Sequence, residues 1–135
     1  MPTDNTLRVR RAVVAHLKSY APLTALVASS SIYGEQPPAN PAWPFIRYGS
    51  TTLPYEASCW SGSTHLVDIH VFANGPYTDA VLNAHAQVIE AMKGFVPDGA
   101  IEVEWANSIG PLRDSPPAEA AKYHMVAQFN VTVAT

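Results

Sequence analysis

Five histidines, His16, His65, His70, His85 and His124, are the residues of this chain best suited to chemistry. An imidazole can ligate a transition metal or carry a proton near neutral pH. Either role needs two or three such groups to converge. His65 and His70 are five residues apart in an alternating segment, so as strand residues they face opposite sides of a sheet. There is no H-E-x-x-H, no C-x-x-C and no Cys–His pair at ligand spacing. Core-edge or surface histidines are the expectation, and no residue is assigned to a metal or cofactor.

Acid–base and nucleophilic motifs are equally thin. Glu102 and Glu104 share one face of a strand-like segment, which is what a solvated strand face looks like. Asp68 sits between apolar neighbours, and an ion pair with an arginine across the sheet is expected for it. Cys59 has no basic residue within five positions, and Ser61-Gly62-Ser63 lacks the G-x-S-x-G elbow. Neither a P-loop nor G-x-G-x-x-G is present. No catalytic residue is assigned, and a small ligand-binding or enzymatic domain using the histidines or Glu102 and Glu104 stands as the contrasting reading.

The elements that would hold these residues follow from periodicity. Val9, Val13, Leu17 and Tyr20 recur at helical spacing over 5–20, with Thr3 or Asp4 as the cap and Pro22 as the stop. Pro22 suits the start of a short second helix over 22–28. Ile32-Tyr33 reads as a short strand. Pro37, Pro38, Pro41 and Pro44 make 34–43 an extended loop. A strand at 45–48 should end at Gly49, and 50–63 reads as a long loop or an extended hairpin arm. In 64–73, His65, Val67, Ile69, Val71 and Ala73 should face the core. A helix over 77–95 carries the stripe Val81, Leu82, His85, Val88, Ile89 and Met92, with Gly94 as its stop. Ile101, Val103 and Trp105 mark a half-buried strand, 115–121 a loop, and 123–133 a closing strand. The fold class is therefore α+β, a mainly antiparallel sheet of four to five strands with two helices packed on one face.

The chain has 135 residues, one domain's worth, and can bury roughly two-thirds of its unfolded surface. Charged residues are 14% of it and apolar ones 47%, against about 25% charged in a typical domain. A charge-poor surface fits one covered by partners, and fits equally one rich in Ser, Thr, Asn and Pro. The net charge of −3 argues against holding phosphates tightly. The basic cluster, Arg8, Arg10, Arg11 and Lys18, lies on the first helix, where a solvated face is expected. A single cysteine, no apolar leader and no membrane-length apolar run lead to the expectation of folding in a cytoplasm.

Interaction features remain. Leu53, Tyr55 and Trp60 lie in a charge-poor segment. The proline-rich loop ending at Trp43 loses little entropy when a partner fixes it. Aromatic side chains on long loops are frequent anchors for other chains; capping of the domain's own core is the competing reading.

Taken in order, these segments resemble the bacteriophage tail-completion family, related to tail terminators and head-to-tail joining proteins of phages, prophages and gene transfer agents. The N-terminal helix running into Leu23-Thr24-Ala25-Leu26-Val27 carries the resemblance, with Ile32-Tyr33, Pro37-Pro38 and Pro44-Phe45-Ile46-Arg47-Tyr48-Gly49. It continues through His65 to Phe72, Asn74-Gly75 and an alanine-rich helix, then Leu112-Arg113-Asp114 and a final strand from Tyr123 to Val131. Phe72 stands where tryptophan is expected, and the segment after Asp114 is rich in proline and alanine where a charged turn is usual. The resemblance implies a tail-terminator-like domain with no catalytic residues or cofactors. It implies a homo-hexameric ring that caps the head-proximal end of the tail tube and docks to the head connector, with DNA passing through unbound and no membrane contact. A connector protein of the same particle is the neighbouring reading. Leu53, Tyr55, Trp60, Trp43, Arg113 and Asp114 are the candidate protein-contact residues.

Overall fold

The computed structural model describes residues 6–57, 60–75, 77–95, 100–115 and 121–134, and over 50–62, 100–101 and 134 it describes the backbone alone. Helix α1 (Thr6–Ser19) buries Val9, Val13 and Leu17, one residue per turn along a single stripe. The expected caps Thr3 and Asp4 lie outside the described residues. Pro22 opens α2 (Ala21–Thr24), shorter than the expected helix, and its Leu23 enters the core. A 3-10 turn (Ser29–Ser31) leads into β1 (Ile32–Tyr33). The proline-rich loop then returns the chain parallel to β1 as β2 (Phe45–Ala57), with Ile32 opposite Ile46.

Strands β3 (Trp60–Asn74), β4 (Ala100–Arg113) and β5 (Lys122–Ala134) complete a five-stranded sheet in the order β1-β2-β3-β5-β4. All pairings but β1–β2 are antiparallel. Helix α3 (Asp79–Met92) packs on β3 and β5, and α1 on β1 and β2. The core lies between these helices and one sheet face. Ile46, Val67, Ile69, Val71, Phe129 and Val131 meet Val13, Leu17, Val81, Val88 and Met92 there, all within 2% of full burial. Burying each such side chain contributes roughly 1.5–3 kcal/mol. No helix among the described residues is long and apolar enough to cross a membrane.

Four expectations need correction. Gly49 does not end β2: it pairs with Asp68, and the ladder runs on to Ala57 opposite Trp60, so 50–57 and 60–63 form a hairpin arm, with 58–59 outside the described residues. Pro54 is tolerated because β1 covers only Ile46 and Arg47, leaving β2 an edge strand beyond them. β4 runs past Trp105 to Arg113 through three register shifts. Gly110 permits this, since its φ is +117° and a Cβ there would stand 2.7 Å from the His124 carbonyl oxygen. Trp105 is 53% exposed, because β4 is an edge strand and α3 covers it only partly. Leu82 is likewise exposed, and Ala84 and Ala91 take its place in the buried stripe of α3. Gly94, at φ +74°, lies just past the end of α3 as expected.

Candidate interaction surface

The face of the sheet away from the helices carries a seam of rings. Phe45, Phe72 and His124 occupy one row across β2, β3 and β5, Phe72 standing opposite both of the others. Directly opposed residues share a sheet face, so the rings meet. Phe45 and Phe72 stack with centroids 4.5 Å apart and planes 12° off parallel. Phe72 stacks on His124 at 4.2 Å and 15°. Trp43, at the end of the proline-rich loop, stands edge-on to Phe45 at 4.8 Å and to Phe72 at 6.0 Å. The Lys122 ammonium lies 5.6 Å from the Trp43 ring centre, a cation–π contact.

A row of polar side chains borders the stack. His70 Nδ1 and His124 Nε2 are 2.9 Å apart, and His124 Nδ1 is 3.6 Å from Asp114 Oδ2. With the carboxylate beside it, His124 Nδ1 holds the proton; its Nε2 is then the acceptor and His70 Nδ1–H donates. Burial pushes the His70 pKa down to about 4, with Arg47 and His124 adding to the effect and Asp68 opposing it. Burial also lowers His124, against the pull of Asp114. Both rings are thus neutral at pH 7, and His124 Nε2 keeps the lone pair that the hydrogen bond needs.

The remaining histidines serve the scaffold. His65, fully buried, meets Ser63 Oγ at 2.8 Å. His16 Nε2–H donates to the Ala91 carbonyl at 2.6 Å and the ring stacks on Phe95 at 3.8 Å, tying α1 to the last turn of α3. His85 is buried on α3, its Nδ1 has no partner among the described residues, and burial lowers its pKa. Asp68 accepts from Gln128 Nε2 at 3.1 Å, so its cross-sheet partner is an amide and not the expected arginine. Glu102 and Glu104 lie exposed on the same face of β4, opposite Thr132 and Asn130. Among the described residues no group of three or more His, Cys, Asp or Glu is placed to hold a metal ion.

Of the expected contact residues, the structure gathers Trp43 and Asp114 at this seam. Arg113 is the last residue of β4 and not part of a loop; exposed, it donates from Nε to the Ser115 carbonyl at 3.2 Å. Residues 116–120 lie outside the described residues. Leu53, Tyr55 and Trp60 are placed on the hairpin arm, opposite Thr64, Gly62 and Ala57, and their side chains lie outside the described residues. Trp60 is twelve positions along β3 from Phe72, or roughly 40 Å of extended strand, so the two groups occupy opposite ends of the sheet. Phe45, His70, Phe72, Lys122 and His124 were missed as a group. Alternation places them all on the less buried face; what it lacks is the register that sets His124 beside Phe72. Trp43, Phe45 and Lys122 also wall a groove of about 590 Å³ with the proline-rich loop.

No curated protein matches the sequence. Solved structures share the fold, among them these two. One is a chain of the virion of a native gene transfer agent particle, at TM-score 0.80 and 19% identity, covering 95% of this chain and 96% of that one. The other is the bacteriophage SPP1 gp17 protein, at TM-score 0.58 and 19% identity, covering 94% and 89%. The model of the tail completion protein gp17 family matches residues 11–134, which takes in the whole described sheet, α2, α3 and α1 from its sixth residue on. The chain belongs to the tail completion protein gp17 family.

Proposed function

We propose that this tail-completion protein is a tail terminator: copies of the chain close into a ring of six that caps the head-proximal end of the tail tube and docks to the head connector. The family match across residues 11–134 is the observation that carries the reading. The likeness in fold to a chain of a gene transfer agent virion and to a phage gp17 protein is consistent with it. The role is structural and asks no catalysis of the histidines. The net charge of −3 suits a ring through which DNA passes without being held.

The two ends of the sheet supply the axial contacts in this reading. At one end Trp43 and Asp114 border the ring seam, with Arg113 next to them at the end of β4. Trp43 is packed on Phe45 and Phe72 before any partner arrives, so docking costs it little side-chain entropy. At the other end the hairpin arm presents Leu53, Tyr55 and Trp60. The test adds the purified chain to polymerising tail-tube protein and measures tube length with the mass of the bound species. Tubes arrested with a multimeric cap at one end are expected. Tubes that elongate unchecked, with the chain remaining monomeric beside them, would refute the reading.

A further inference from the structure

Helix α1 has two faces of different chemistry. Val9, Val13 and Leu17 enter the core. On the far side Leu7, Arg11, Val14 and Lys18 follow at spacings of four, three and four, a single helical stripe in which apolar and cationic groups alternate. With Arg8 and Arg10, α1 holds four of the chain's eight Lys and Arg residues and no Asp or Glu. It is a positive margin on a molecule of net charge −3. The stripe borders a groove of about 460 Å³ between α1 and the chain that leaves β1, lined by Val14 and Ala15 and by Arg10, Arg11 and Lys18. Glu35 enters the groove from that chain, and its carboxylate meets the Arg10 guanidinium at 3.1 Å. The groove thus already holds one carboxylate. Arg11 and Lys18 are exposed and have no acidic partner among the described residues. Leu7 on the same stripe is 43% exposed.

Charge complementarity selects the occupant. A nucleic-acid backbone asks for uninterrupted positive charge. Here Leu7, Val14 and Ala15 separate the cations, and Glu35 repels phosphate. Covering those apolar groups is favourable for a partner that brings apolar side chains of its own. A further copy of this chain does not supply the match. Among the described residues, Glu102 and Glu104 lie on the sheet face away from the helices, opposite Thr132 and Asn130. Asp68 is engaged by Gln128, and Asp114 stands beside His124. On the helix side Asp79 and Glu90 sit near opposite ends of α3, with Lys93 close to Glu90. The stripe therefore fits carboxylates and apolar side chains that a different protein carries together.

We infer that the outer face of α1 is the docking surface for an acidic, amphipathic segment of another protein of the particle. The segment's carboxylates meet Arg11 and Lys18, and its apolar side chains cover Leu7, Val14 and Ala15. The inference does not rest on the ring reading, because it concerns a partner other than a further copy. The test places a photo-cross-linking phenylalanine analogue at Ala15, exposed and lining the groove, in full-length chain assembled into particles. The same probe at Leu7 gives a second position on the stripe. Mass spectrometry of the cross-linked peptides should find a segment of a different protein, net negative, with apolar residues between its carboxylates. Arg11→Glu with Lys18→Glu, both exposed positions, should lower the cross-linking yield at least about tenfold, since like charges then meet. Matching thermal melts check that this variant is folded. Replacing the captured segment's acidic residues by Lys should restore the yield with the charge-reversed chain. Cross-links to DNA, to a second copy of this chain or to a segment without net negative charge would overturn the inference. So would a yield that charge reversal leaves unchanged, or joined particles that give no cross-link from either position. The ring reading survives each of these results, because it stands or falls on the arrest of tail tubes.

Discussion

On β3, Val67, Ile69 and Val71 alternate with Asp68, His70 and Phe72, and the two sets meet different surroundings. The first set is fully buried on the helix side, where α3 packs on β3. The second lies half-buried on a face with no helix over it, sheltered by its neighbours across the strands and, at Phe72, by Trp43 of the proline-rich loop. One face is held by close-packed apolar volume, which tolerates no charge. The other is held by stacked rings and a hydrogen bond between two histidines, which tolerates substitution and responds to pH. The contrast explains how one sheet can carry both a rigid core and a half-buried polar face.

Substitutions on the two faces should separate by size of effect. Val67→Asp or Phe129→Asp places an unpaired charge in the core, at a cost of several kcal/mol against a total stability of about 5–15. The domain should lose cooperative unfolding in thermal melts, and a soluble, native-like variant would mean the faces are inverted. Phe72→Ala removes the middle ring of the stack with Phe45 and His124 but leaves an open site that water can enter. A loss of about 1–3 kcal/mol in denaturant titrations is expected, below the usual cost of a fully buried phenylalanine.

The pH effect is smaller. His70 has its pKa lowered from 6.5 to about 4 on folding, so between those values the unfolded chain binds a proton that the folded chain resists. Stability is complete above about pH 6.5, falls as the pH drops towards 4, and levels off below that. Because the ring is only half-buried, the loss is discounted for solvent screening to about 1–2 kcal/mol. Comparing parent and His70→Gln across this window cancels the carboxylates common to both, and the variant should show the flatter curve. The smallest stability effect belongs to Trp105→Ala on the exposed edge, within about 0.5 kcal/mol of the parent. On the hairpin arm, Tyr55→Ala and Trp60→Ala are expected to leave melting nearly unchanged and to weaken capping of tail tubes.

The buried face was the legible one. Period-two alternation in 64–73 and period-three-to-four spacing in 5–20 assign nearly every core residue, because burial leaves a periodic trace in a single segment. The long ladders were less legible. Gly49 and Pro54 are poor strand formers, and β2 continues through them because β3 supplies the pairing; no local signal carries that. β4 was cut short for a similar reason, since Gly110 makes a close approach to β5 that only the pairing reveals. The ring seam was least legible. Trp43 and Asp114 were chosen for residue type and loop position, and their neighbours Phe72 and His124 are brought together by register between strands more than fifty residues apart.

The central claim is tested most directly by electron microscopy of particles assembled without this chain. A terminator at the head-proximal end of the tail predicts tails of uncontrolled length that fail to join heads, with normal joining restored when the chain is supplied. Full heads that leak DNA beside tails of normal length would move the chain to the connector layer, and normal, joined particles would contradict the account altogether.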